Sequence, residues 1–222
     1  MNKTWILLSL LLASVVPIQS LYAYECGGKE ATIIGTEGND KIKGTNGDDV
    51  IVGLGGNDKI SGKGGNDIIC GGPGKDKLQG GNGDDRIFGG EGKDILAGDK
   101  GDDQLHGGSG KDVLRAGHGD DQLFGGDGSD KLYGENGNDQ LHGGKGKDRL
   151  YGWYGDDKLF GGDGDDVLAD REGTDLMDDG AGADKCQGLK DFGGRDAQDQ
   201  WIADVRPSEE SRQWAGCEKL FK

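Results

Sequence analysis

The sequence predicts an all-β solenoid of parallel strands, built from seventeen nonapeptide repeats with short N- and C-terminal caps. A nine-residue phrase runs over residues 35–187 without insertion or deletion, with glycine always at position 4 and aspartate always at position 6. Position 8 carries a bulky apolar residue, from Ile42 in the first repeat to Cys186 in the last. Each repeat must stack on its neighbours, because one added residue would move every later side chain out of line.

The phrase also predicts the local structure of each repeat. Glycines at positions 1, 2 and 4 permit the positive φ values and close backbone approach of a tight turn. Positions 7 to 9 then form a very short strand whose middle residue faces inward and whose flanking residues face outward. Two repeats make one coil of 18 residues, so that alternate repeats form two opposed parallel sheets with the position-8 column as the core.

The segments outside the repeats are assigned separately. Residues 1–23 are predicted to be a signal peptide, with Lys3 before an apolar run and Leu21-Tyr22-Ala23 as the cleavage site. The apolar run is short for a membrane span and no other stretch could cross a bilayer, so we expect a soluble, secreted protein. Residues 24–34 and 188–222 are expected to cap the two open ends of the roll at 35–187.

The charge balance singles out the position-6 aspartates. The chain has 42 acidic and 26 basic residues, a formal net charge of −16. Removal of the signal peptide removes Lys3 and no acid, which leaves a surplus of 17 negative charges, one for each repeat. This surplus disfavours a nucleic-acid partner.

The stacked aspartates require a cation. At strand spacing each position-6 carboxylate lies above another, an arrangement that like-charge repulsion would keep open. A hard cation with 6 to 8 oxygen ligands in flexible geometry suits carboxylates and backbone carbonyls, which indicates Ca²⁺ rather than Mg²⁺, and no Cys/His cluster has zinc spacing. The candidate calcium ligands are Asp40, Asp49, Asp58, Asp67, Asp76, Asp85, Asp94, Asp103, Asp112, Asp121, Asp130, Asp139, Asp148, Asp157, Asp166, Asp175 and Asp184.

The phrase Gly-Gly-x-Gly-x-Asp-x-apolar-x resembles the hemolysin-type calcium-binding repeat of RTX proteins. The resemblance implies a parallel β-roll with calcium between turns n and n+2, held by the aspartates and by carbonyls at positions 1, 3 and 5. It covers roughly two thirds of the chain, and it implies at most about fifteen inter-turn sites. Some turns depart from the phrase, among them those that begin at Asp170 and Asp179, so the resemblance is weaker there.

Four cysteines fit an oxidising compartment and allow three disulfide pairings. We favour Cys26 with Cys70 and Cys186 with Cys217, because each pair would pin one end of the solenoid. Four free thiols are the alternative.

A column of rings is predicted on the outer face of one sheet. The 18-residue period aligns Phe88, His106, Phe124, His142 and Phe160 on successive coils. The histidines are too few and too far apart to indicate a shared metal. The rings either stack and strengthen the sheet, or present Phe88, Phe124 and Phe160 to a cell-surface polysaccharide or protein.

The composition favours a binding or structural module over an enzyme. Residues 188–222 are too few for a catalytic domain, and neither His-Glu-x-x-His nor Gly-x-Ser-x-Gly occurs. We therefore expect a non-catalytic, secreted module that folds on binding multiple calcium ions. The alternative is an accessory part or remnant of a secreted RTX-type hydrolase, epimerase or toxin.

Overall fold

The computed structural model describes residues 24–188, which form two opposed parallel sheets and one small hairpin. The hairpin pairs β1 (Glu25–Cys26) with β2 (Lys29–Glu30). Sheet I contains, in spatial order, β3 (Ile33–Ile34), β5 (Val50–Val52), β7 (Ile68–Gly74), β9 (Arg86–Gly92), β11 (Gln104–Gly110), β13 (Gln122–Gly128), β15 (Gln140–Gly146), β17 (Lys158–Asp163) and β19 (Leu176–Asp178). Sheet II contains β4 (Lys41–Lys43), β6 (Lys59–Gly64), β8 (Lys77–Asn82), β10 (Ile95–Lys100), β12 (Val113–His118), β14 (Lys131–Asn136), β16 (Arg149–Tyr154), β18 (Val167–Asp170) and β20 (Lys185–Gly188).

Every pairing within the two large sheets is parallel and joins residues 18 positions apart. Leu105, for example, pairs with Leu123, and Leu123 with Leu141. This is the two-repeat coil that the period predicts, and the all-β parallel solenoid is confirmed. The two sheets together hold one strand more than the seventeen repeats supply, because β3 at Ile33–Ile34 precedes the first repeat.

The strands are longer than the sequence predicts. In the middle of the roll they span six or seven residues, as in β11, rather than positions 7 to 9 alone. They continue through glycine positions 1 to 3 or 4 of the next repeat, where Gly108 pairs with Gly126. The expectation failed because these glycines, at positive φ, still stack in register on the coil below and complete the backbone ladder.

The core is the single column of position-8 side chains, as predicted. Twelve of its members, from Ile51 to Leu150, are among the largest fully buried side chains. Near its ends the column includes Ile42 and Met177, which are only partly buried, and Ile33 before the first repeat packs against it. Burial of each such side chain contributes about 1.5 to 3 kcal/mol.

A second apolar cluster lies on the outer face of sheet I. The hairpin places Cys26 against Val50, Val52 and Ile68. Position 7 is therefore not always outward and exposed, because the hairpin buries Val50 and Ile68. The predicted Cys26–Cys70 disulfide is present and fixes the hairpin to this face.

Several predictions fall partly or wholly outside the described residues. These are the signal peptide at 1–23, the residues of the C-terminal cap from 189 onward, and Cys217 as the partner of Cys186, which is itself disulfide-bonded. Within residues 24–188 there is no helix long and apolar enough to cross a membrane.

Candidate metal sites

The turns of the roll bring backbone oxygens of successive coils close together. A Cβ added at Gly107, position 1 of its repeat, would lie 2.6 Å from the carbonyl oxygen of Gly125 in the next coil and 2.8 Å from Oδ2 of Asp112. At position 4, Gly110 has φ +148° and a Cβ there would overlap the carbonyl oxygen of Gly92. Glycine at these positions thus leaves room only for backbone and carboxylate oxygens.

The position-6 aspartates form two continuous ladders, one at each edge of the roll. Oδ1 of each aspartate accepts a hydrogen bond from the backbone N–H of the aspartate 18 residues earlier, as in Asp94 N to Asp112 Oδ1 and Asp112 N to Asp130 Oδ1, both 2.8 Å. The ladders run from Asp40 to Asp166 as donors and from Asp58 to Asp184 as acceptors. One oxygen of each stacked carboxylate is therefore committed to holding neighbouring turns in register.

The second carboxylate oxygen has no such partner through the body of the roll. These aspartates are at most 2% exposed, and their Oδ2 atoms are buried without a hydrogen-bond donor. A buried polar atom without a partner is costly, and a buried charge more so. The residues with such an Oδ2 are Asp58, Asp67, Asp76, Asp85, Asp94, Asp103, Asp112, Asp121, Asp130, Asp139, Asp148, Asp157 and Asp166.

The electrostatics of these carboxylates favours a bound cation. Burial, with a smaller contribution from neighbouring carboxylates, raises the pKa of Asp103 and Asp139 to about 8 and that of Asp121 to about 7. Stacked carboxylates and glycine carbonyls are hard oxygen ligands of the kind that calcium takes. The described residues therefore fit the predicted ion, because the orphaned Oδ2 atoms are oxygens that could serve as its ligands.

The two edges differ in the residue beside each aspartate. Turns of the even-numbered repeats form one edge, here called the even-turn edge, with an exposed acid or amide at position 5, as in Asn66, Asp84, Asp102 and Asp120. Their Oδ1 atoms accept the N–H of the next position-5 residue, for example Asp102 N to Asp84 Oδ1 at 3.0 Å. The opposite, odd-turn edge instead carries exposed lysine at position 5 in four of its turns, namely Lys75, Lys93, Lys111 and Lys147.

The first two turns satisfy their aspartates internally. The backbone N–H and the hydroxyl of Thr36 donate to Oδ2 of Asp40 at 2.7 and 2.9 Å. Thr45 does the same to Oδ2 of Asp49 at 2.6 and 3.0 Å. Both threonines stand at position 2, where the phrase often has glycine, and their donor role was not predicted. It could have been inferred from the pattern of a hydroxyl four residues before a carboxylate.

The last described turns differ in another way. Asp170 stands at position 1, where most repeats have glycine, and its buried carboxylate joins those of Asp157 and Asp175. The three offer ligand atoms that all lie within 4.8 Å of one another. Burial and the two neighbouring carboxylates raise the pKa of Asp170. This turn departs from the repeat phrase in the sequence, and Asp170 was not among the predicted ligands.

The predicted ring column is present on sheet I. Successive rings stack with centroids 4.6 to 5.0 Å apart and planes within 11° of each other, from Phe88 through His106, Phe124 and His142 to Phe160. The interior rings cover one another's faces, so it is their edges that reach the surface. Burial lowers the pKa of His106 and His142, which favours neutral rings within the stack.

Comparison with known families extends this description. More than half of the chain matches a family model described as RTX calcium-binding nonapeptide repeat (4 copies), over residues 34–69, 71–105, 98–132, 106–141 and 133–168. None of the curated proteins compared with the chain matches it. The family match thus covers the turns with orphaned aspartates up to Asp166 and ends before Asp170.

Proposed function

Because the chain belongs to the family of RTX calcium-binding nonapeptide-repeat proteins, we propose that it is exported and that its roll folds on binding calcium outside the cell. The folded rod then serves there as a non-catalytic structural or adhesion module. The observation that carries this proposal is the column of buried Oδ2 atoms without donors, repeated from Asp58 to Asp166. A chain that is stable without a cation would not bury so many unpaired carboxylate oxygens.

The ligands would be the position-6 aspartates together with turn carbonyls from the adjacent coil. Bound calcium supplies positive charge that offsets both the burial of the carboxylates and their mutual repulsion. The Oδ1 atoms remain bonded to backbone N–H groups, so the ladder itself positions each Oδ2. Because every turn stacks on the turn before it, a filled site orders the next strand and folding spreads along the chain.

Circular dichroism of the mature chain with its disulfides intact tests the proposal. We expect a largely unfolded spectrum in EDTA and a cooperative gain of β-structure at millimolar calcium, with magnesium a poor substitute. A chain that is fully folded in EDTA and indifferent to calcium would refute calcium-dependent folding. N-terminal sequencing of the exported protein tests the predicted cleavage after Ala23.

The ring column is the surface we propose for adhesion to a polysaccharide or a protein. Phe88, Phe124 and Phe160 are half-buried and lie in one line across the strands of sheet I. Because ring faces are taken up by stacking, a target would contact ring edges and the backbone between them. The double change Phe124→Ser and Phe160→Ser should abolish retention on cell-surface glycans or proteins, whereas Tyr133→Ser on sheet II should not. Unchanged retention with folding intact would leave the rings a purely structural role.

The non-catalytic assignment rests on how few of the described residues lie outside the strands and turns of the roll. The described residues 24–188 are almost wholly committed to strands and turns. An accessory part of a larger secreted RTX-type hydrolase, epimerase or toxin is the second candidate, and it would share the same calcium chemistry.

A further inference from the structure

Asp170 places a carboxylate at a position where most repeats have glycine. It occupies position 1 of the sixteenth repeat and is 2% exposed. Its Oδ1 accepts backbone N–H groups from Trp153, at 2.8 Å, and from Arg171, at 2.5 Å. These two bonds orient the side chain and turn its other oxygen into the roll.

That other oxygen points toward two further carboxylates. Among residues 24–188, no donor reaches Oδ2 of Asp170 or Oδ2 of Asp157, which is 1% exposed. A Cβ added at Gly152 would lie 2.6 Å from Oδ2 of Asp170, and Oδ2 of Asp157 is also among its nearest atoms. With Asp175, these residues form the only group of three metal-type side chains with mutually close ligand atoms in residues 24–188.

The nearest arginine does not neutralise this group. The guanidinium of Arg171 lies over the rings of Trp153 and Tyr154, 5.9 and 5.3 Å from their centroids. Its Nη1 also donates to the hydroxyl of Tyr154 at 2.9 Å. The guanidinium is thus engaged by the two aromatic side chains, while the buried carboxylates of Asp157 and Asp170 and the partly buried carboxylate of Asp175 lie close together.

We propose that Asp157, Asp170 and Asp175 form a three-carboxylate calcium site that binds more tightly than any other site in the described roll. Asp157 and Asp175 come from the ordinary position-6 ladder, whereas Asp170 adds a third charge that the nonapeptide phrase does not provide. Calcium affinity rises with the number of charged ligands and with the rigidity of the site. This site fills first and starts folding near the C-terminal end of the roll, where stacking partners are fewest.

The proposal rests on the calcium-dependent fold proposed above. A calcium titration of the mature, disulfide-bonded chain distinguishes failure of the three-carboxylate site from failure of calcium-dependent folding. We compare wild type with Asp170→Gly, which restores the glycine of other repeats, and with Asp170→Asn, which removes charge alone. Asp163→Asn, an exposed acid in the preceding repeat, is the matched control. We expect both Asp170 variants to fold at saturating calcium but to bind their first ion at least about tenfold more weakly, while Asp163→Asn matches wild type.

Terbium locates the first ion. Trp153 lies beside the proposed site, so the first equivalents of Tb³⁺ should give tryptophan-sensitised emission in wild type. Asp170→Gly should delay that emission to later equivalents, and Trp153→Phe should remove it. An unchanged first binding step in both Asp170 variants, or first-phase emission that persists in Trp153→Phe, would overturn the three-carboxylate site. Absence of any calcium binding in wild type would instead overturn the proposed function itself.

Discussion

The two edges of the roll carry the same aspartate ladder in different electrostatic surroundings. On the even-turn edge the residue before the aspartate is usually another acid, whereas four turns of the odd-turn edge have lysine there. The exposed carboxylates of Asp84 and Asp120 add to the pKa increase of Asp103 and Asp139, which reach about 8. On the odd-turn edge the pKa rises less, to about 6 at Asp94 and about 7 at Asp130.

This difference teaches that aspartates held in the same ladder geometry can have different electrostatic surroundings. The invariant Asp and Gly of the phrase define the geometry on both edges. The variable residue at position 5 determines the negative charge at each edge. This charge must be neutralised before the turns of that edge can stack. The even-turn edge should therefore depend on calcium more strongly than the odd-turn edge.

The largest expected effect is on the pH dependence of the calcium-free chain. Folding raises the pKa of these carboxylates above their unfolded value of 3.8, to about 7 at Asp121 and about 8 at Asp103. The folded chain therefore holds protons that the unfolded chain releases, and calcium-free stability is greatest in acid and is lost as pH rises toward about 8. In EDTA we expect β-structure, measured by circular dichroism, to grow as pH falls from 8 to 5.

Paired substitutions assign that pH dependence to an edge. Asp103→Asn with Asp139→Asn should flatten the calcium-free pH profile more than the matched pair Asp112→Asn with Asp148→Asn on the odd-turn edge. Equal flattening by the two pairs would contradict the difference between the edges.

A smaller effect is expected from position 5. Lys93→Asn and Lys111→Asn should raise calcium affinity, because each removes a positive charge beside the odd-turn ladder. Asp102→Asn and Asp120→Asn should lower it, while the amides keep the acceptors for the backbone N–H groups of Asp120 and Asn138. Each charge near the surface is worth on the order of 1 kcal/mol, about fivefold in affinity at low salt. Isothermal titration at two salt concentrations checks the sign, and a change that does not shrink with salt would be inconsistent with a charge effect.

The smallest effect belongs to the first two turns, where the edges should behave alike. Thr36 lies on the odd-turn edge and Thr45 on the even-turn edge, and each hydroxyl donates to its own aspartate. Thr36→Ala and Thr45→Ala should each lower the free energy of unfolding by about 0.5 to 1.5 kcal/mol, measured by urea denaturation in saturating calcium. If only one of the two substitutions lowered the free energy of unfolding, the two edges would differ even where a threonine satisfies the carboxylate.

The sequence predicts those features of the structure that repeat from one coil to the next. The 18-residue pairing, the burial of the position-8 column and the stacking of the aspartates all follow once the register is known, because each coil repeats the one before. The Cys26–Cys70 pairing was predicted from the need to pin one end and is confirmed.

The parts that escaped prediction are those where one coil differs from the next. The hairpin at Cys26 covers Val50 and Ile68 on an outer face, a contact between segments that share no period. Asp170 meets Asp157 and Asp175 only because its side chain turns inward at a position where most repeats have glycine. Such contacts depend on side-chain direction, which a repeat pattern does not specify.

The disulfide between Cys26 and Cys70 also affects the register in which the coils stack. In a roll of nearly identical strands, a slip by one whole coil replaces leucine by leucine and aspartate by aspartate, so that side-chain pattern alone discriminates poorly between the two alignments. No cysteine stands one coil further along from Cys26 or Cys70, so the bond cannot form in the slipped alignment. It closes a loop with a sequence separation of 44 residues. The disulfide therefore fixes the register of the first coils, and every later coil stacks in the register that they set.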